Sequence, residues 1–120
     1  MVHKLIPPAL FLSLLWLASC HEQASIQVTN NLRNVVMSNV QFDRIGLGTR
    51  LLPGESTEKV TISDYSEGIT FPVTARLQFY MVKDDNMVFL KTKNAYTLQA
   101  DDELHIDISD DTEVVNSAAE

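Results

Sequence analysis

One cysteine, one tryptophan and nine basic residues in 120 positions define this chain first by what it has little of. With Cys20 alone no internal disulfide can form, so any fold must be held by its core. A chain of this length is one domain by prior, and a domain of about 100 residues buries roughly two-thirds of the surface its unfolded form exposes. It needs neither a disulfide nor a metal to be stable.

Positive charge is scarce as well. Only Lys4 of the nine Lys and Arg residues precedes Cys20, while all sixteen Asp and Glu residues follow it, and the chain carries −7 overall. That field repels phosphate backbones, which are bound by clustered Lys and Arg, and so argues against nucleic acid as a partner. It also offers no basic face to anionic lipid, so membrane attachment has to come from another source. Long apolar runs are missing too. Pro7 and Pro8 leave Ala9 to Ala18 as the uninterrupted stretch, ten residues against the about 20 that crossing a bilayer takes.

What the first twenty residues do contain is ordered. MVHK supplies a short positive start, and LIPPALFLSLLWLA follows it, apolar apart from Ser13 and the prolines. This is the layout of a secretory signal. Leu17, Ala18, Ser19 and Cys20 then resemble the lipobox of bacterial lipoproteins, in which an aliphatic residue and two small residues precede a cysteine. Small side chains admit a peptidase to the backbone, and sulfur is the best nucleophile available for alkylation.

The resemblance implies removal of residues 1–19, a diacylglyceryl thioether on Cys20, acylation of its freed amine, and an envelope protein anchored by several chains. One fatty chain binds only marginally, whereas several anchor stably. In Gram-negative proteins of this kind an aspartate after the cysteine favours the inner membrane. His21 stands there instead, which implies the outer one. Two other readings of the same residues are an ordinary signal cut after Cys20 or a few residues later and an uncleaved anchor.

Beyond Cys20 the residues His21 to Ser25 are polar and are expected to form a short disordered linker, with the folded domain spanning 26–120 and its last few residues disordered. A period of two then sets in. Ile26 and Val28 alternate with Gln27 and Thr29, closed by a turn signal at Asn30 and Asn31. NVVMSNVQFD is expected as a strand broken at Ser38 and Asn39, Gly46 and Gly48 as a bend or bulge, and Pro53 and Gly54 as a turn. Val60 and Ile62 point inward from the next strand.

FPVTARLQFYMVK is expected as the longest strand. It turns at Lys83 to Asn86 into MVFLKTK, so that Ala75 to Lys93 forms a hairpin. NAYTLQ and ELHIDIS complete seven or eight strands, with Leu104, Ile106 and Ile108 inward. No helical period, tandem repeat or low-complexity tract follows Cys20. The pattern predicts a small antiparallel β-sandwich of immunoglobulin-like or transthyretin-like type, although the Cys and Trp pattern of antibody domains is absent.

Few residues suggest chemistry. Asp107, Asp110 and Asp111, within an acidic run from Asp101 to Glu113, supply hard oxygen ligands of the kind calcium takes, but no glycine sits where an EF-hand needs its sharp turn. They read better as solvated turn residues and charged guards of a strand edge. His105 and Asp107 share one face of a strand, a spacing open to an acid/base pair or two metal ligands, yet two ligands do not make a site. Ser56 in PGES is not a nucleophile elbow, and Gly46 and Gly48 lack the third glycine and the helix of a phosphate loop.

Phe79, Tyr80, Phe89 and Tyr96 cluster near the hairpin. With Phe79 inward alongside Leu77 and Met81, Tyr80 and Val82 must face outward, toward solvent or a partner. The expectation is a non-catalytic binding or structural module, without cofactor, tethered to the membrane and meeting another envelope protein. The competing readings are a hydrolytic or metal-dependent enzyme built on His105 and the acidic region, and a carrier of a small apolar ligand held between the sheets.

Overall fold

The computed structural model describes residues 22–64 and 68–117. Its regular elements are ten strands: β1 Gln23–Asn31, β2 Val36–Phe42, β3 Ile45–Leu51, β4 Val60–Ser63, β5 Val73–Ala75, β6 Leu77–Lys83, β7 Asn86–Thr92, β8 Tyr96–Leu98, β9 Glu103–Ser109 and β10 Val114–Asn116. They form a three-stranded sheet in the order β4-β1-β9, a five-stranded sheet in the order β10-β7-β6-β2-β3, and a two-stranded ribbon of β5 and β8.

The all-β sandwich read from the pattern is therefore the fold. Ile26, Val28, Ile62, Ile106 and Ile108 from the first sheet pack with Met37, Val40, Phe42, Leu77 and Phe79 from the second, each at most 1% exposed. Burying each such side chain stabilises by about 1.5–3 kcal/mol. One pair departs from the antiparallel expectation: β1 runs parallel to β9 over seven residues, from Ser25 opposite Glu103 to Asn31 opposite Ser109.

β1 also begins earlier than the expected linker allows. Gln23 pairs with Ser63, and both Ala24 and Ser25 are buried. The start is fixed from both sides: the Asp64 N–H donates to the Glu22 carbonyl, the Asp101 N–H to that of Gln23, and the Ser25 N–H to that of Asp102. The linker expected over 21–25 thus gives up its last three residues to the sheet.

At the other end of β1 the turn expected at Asn30 and Asn31 is strand. Asn30 is fully buried, and its amide donates to the carbonyls of Val35 and Leu51 at 2.9 and 3.0 Å while its side-chain oxygen accepts from the Leu32 N–H. It joins β1, the turn before β2 and the end of β3. Every polar atom of the side chain is used, as burial requires.

The long strand expected over FPVTARLQFYMVK is two strands in different sheets. β5 pairs with β8, whereas β6 lies between β2 and β7. The switch falls at Arg76 and is held by buried Thr92, whose hydroxyl accepts from the Leu77 N–H and donates to the Asn94 carbonyl; Arg76 Nε donates to the Thr92 carbonyl.

The expected irregularities are present. β2 carries an extra residue against β6 between Ser38 and Gln41, with Asn39 at φ 50°, and β3 carries Leu47 as its extra residue between Gly46 and Gly48. Gly48 leaves room for the methyl of Thr57, which an added Cβ would meet at 3.1 Å. The hairpin turns through Asp84 and Asp85, both at positive φ, as two-residue turns between twisted strands require. Val114–Asn116 forms β10 on the edge of the larger sheet, and residues 118–120, at the end expected to be disordered, lie outside the described residues.

Candidate functional site

Period two puts Tyr80 and Val82 on the outward face of the five-stranded sheet, as the pattern predicts, because their neighbours Leu77 and Phe79 fill the core. On that face Tyr80 sits opposite Phe89, the rings stacked with centroids 4.8 Å apart and planes at 20°. Val82 lies between Met87 on β7 and Val36 on β2. Met87 is 61% exposed. Val36, Ser38, Arg50, Val82 and Met87 line an open hollow of about 250 Å³.

Apolar side chains from three strands thus adjoin on this face, with Arg50 lining the edge of the hollow. Val36, Met87 and the pairing of Phe89 with Tyr80 were not singled out from the sequence. The period of two in MVFLKTK was the available signal, since it places Met87 and Phe89 on the same face as their cross-strand partners.

The outward face of the three-stranded sheet is polar. Ser56 Oγ meets Thr29 Oγ1 at 2.6 Å, Thr29 Oγ1 meets His105 Nε2 at 2.7 Å, and Asp107 Oδ1 lies 3.7 Å from that same nitrogen. Asn31 Nδ2 donates to Asp107 Oδ1 at 3.2 Å. The row brings a hydroxyl, an imidazole and a carboxylate together, but not as a nucleophile relay. In such a relay the nucleophile and the orienting acid contact opposite nitrogens of the imidazole base, whereas Thr29 and Asp107 approach one.

The remaining acidic candidates are tied to separate partners. Asp110 accepts from Arg33 Nε at 2.6 Å, and that hydrogen bond holds its carboxyl below the usual carboxylate range. Asp111 closes a turn through its N–H to Ser109 Oγ. Among the described residues no three His, Cys, Asp or Glu side chains converge on one point suited to a metal ion. β9 is an edge strand of its sheet, and Glu103, His105 and Asp107 along it set charge and polarity where a bare edge would invite pairing.

Leu17, Ala18, Ser19 and Cys20 lie outside the described residues. Among those described, no helix is long and apolar enough to cross a membrane. Compared with models of protein families, with curated proteins and with solved structures, the chain matches none.

Proposed function

We propose that this protein is a lipid-anchored component of a bacterial cell envelope, placed at the outer membrane, whose non-catalytic β-sandwich binds another envelope protein. The observation that carries the reading is the run Leu17-Ala18-Ser19-Cys20 at the end of a short apolar stretch with a basic start, joined to a folded domain that contains no second cysteine. Lipidation supplies membrane affinity that the acidic surface does not.

The partner surface is the outward face around Tyr80, Val82 and Met87. Stacked aromatic rings with an exposed methionine beside them toward the hairpin turn, and Arg50 at the edge, are side chains of the kind enriched in protein contacts. The filled space between the sheets supports surface binding over an internal ligand, because Phe42, Phe79 and their neighbours leave no exposed lining there. The shared nitrogen at His105 supports a binding role over a hydrolytic one.

The test is radiolabelled fatty acid in cells expressing the wild type and Cys20→Ser. Label on the wild type and an unlabelled, unprocessed precursor from the variant are expected. Label that persists in the variant overturns the reading.

A further inference from the structure

The start of β1 lies close to the residue proposed to carry the lipid. Only His21 and Glu22 separate Cys20 from Gln23, and the Glu22 carbonyl is already bonded to the Asp64 N–H. Two residues fully extended span about 7 Å. The nine residues of β1 span about 26 Å by contrast, at the rise of an extended strand. A domain on so short a tether cannot invert, so the end holding Gln23 is the one nearest the bilayer.

The backbone identifies the rest of that end. Asp64, Asp101 and Asp102 are hydrogen-bonded to the first residues of β1, and Glu103 lies opposite Ser25. Of these carboxylates Glu103 is paired with a lysine, through Lys59 Nζ at 2.6 Å. The tether is no longer than the screening length of about 8 Å at physiological salt, so this acidic end feels anionic headgroups directly and is kept from sinking among them.

The opposite end is defined by the parallel pairing of β1 and β9, which brings Asn31 and Ser109 together. Arg33 and Asp110 form their ion pair there, and Asn30 of that end bonds the Val35 carbonyl beside Val36, which pairs with Val82, so the β6–β7 turn lies at the same end. Val36, Val82 and Met87 adjoin that turn.

Resting on the anchoring reading above, we infer that the protein stands on the membrane by the acidic end at Gln23, Asp101 and Glu103 and presents the apolar face at Val36, Val82 and Met87 away from the lipid. The partner that this orientation fits is a protein approaching from the side remote from the bilayer. Among the described residues, the end turned to the lipid is polar and carries Asp64, Asp101, Asp102 and Glu103.

Thiol-reactive fluorophores on Glu103→Cys and Met87→Cys test this in the full acylated protein, because Cys20 as a thioether does not react. Both positions are exposed, and the surface ion pair lost at Glu103 is worth little to folding. The protein is placed in vesicles of phosphatidylethanolamine and phosphatidylglycerol doped with a headgroup-nitroxide lipid. The label at 103 should lose most of its fluorescence and the label at 87 little.

A spacer of about twenty Gly and Ser residues after His21, with an r.m.s. span of about 25 Å, should restore most of the fluorescence at 103. Equal quenching at the two positions on an acylated chain overturns the orientation alone, and quenching at 103 unchanged by the spacer overturns the part given to the short tether. A chain whose intact mass shows no acyl group overturns the anchoring reading and this inference with it.

Discussion

The two outward faces of the sandwich use one alternating pattern to opposite ends. On the three-stranded sheet Thr29, His105, Asp107, Asn31 and Ser56 hydrogen-bond to one another across strands, so their polar atoms are largely answered within the face. On the five-stranded sheet Val36, Val82 and Met87 adjoin the Tyr80 and Phe89 stack, and the apolar surface there is answered by nothing among the described residues. A face that satisfies itself needs no partner. A face left apolar next to an acidic, soluble surface gains free energy when a partner covers it.

The contrast exists only while the sheets keep their register, and the largest expected effects come from the polar residues that fix it. Asn30→Asp removes both amide donors and buries a carboxylate beside the carbonyls of Val35 and Leu51. A loss of about 3 kcal/mol or more is expected in urea unfolding, enough to collapse both faces together. Thr92→Val leaves the Leu77 N–H and the Asn94 carbonyl without their hydroxyl, and a loss of about 1–3 kcal/mol is expected in the same measurement.

Substitutions on the faces themselves separate them. Tyr80→Ala gives up the stack on Phe89, about 0.5–1.5 kcal/mol of stability, yet is expected to abolish recovery of the partner in pull-downs from membranes. His105→Ala on the polar face is expected to change stability by less than about 0.5 kcal/mol and to leave partner recovery intact. The reverse pattern, with binding lost at His105 and kept at Tyr80, would exchange the roles assigned to the two faces.

The smallest effect is electrostatic. Hydrogen bonds from Arg33 and Lys59 hold the Asp110 and Glu103 carboxyls below their ordinary range. A carboxyl whose folded pKa is depressed contributes stability at neutral pH that is lost as pH falls through the folded value. Both groups are exposed, so the contribution is small and screened by salt. Asp110→Asn should remove a slight part of the acid-range decline in melting temperature, and high salt should erase the difference.

The sequence was legible wherever structure is local. Alternation placed Leu77 and Phe79 inward and Tyr80 outward, and Asp84 with Asp85 sat where the hairpin turns. It was silent where the deciding partner is far along the chain. Ala24 is only weakly apolar, so the extension of β1 rests on Ser63 and Asp102, about 40 and 80 residues distant. Arg76 interrupts nothing in the alternation, and the sheet switch there depends on Thr92.

Asn30 and Asn31 carry turn chemistry by type, but the carbonyls that receive the Asn30 amide belong to the next turn and to β3. The parallel pairing of β1 with β9 joins the two ends of the domain and has no local signature at all. At the site, Tyr80 and Val82 were readable as outward. Their grouping with Val36 required the register of β2 against β6, which the bulge at Ser38 to Gln41 shifts.

The most direct test of the account is the mass of the N-terminal peptide from protein extracted out of the envelope with detergent. The expected peptide begins at Cys20 and carries a diacylglyceryl group on sulfur and a fatty acyl group on its amine. A peptide that begins elsewhere, or an unmodified Cys20, would contradict the anchored envelope module proposed here.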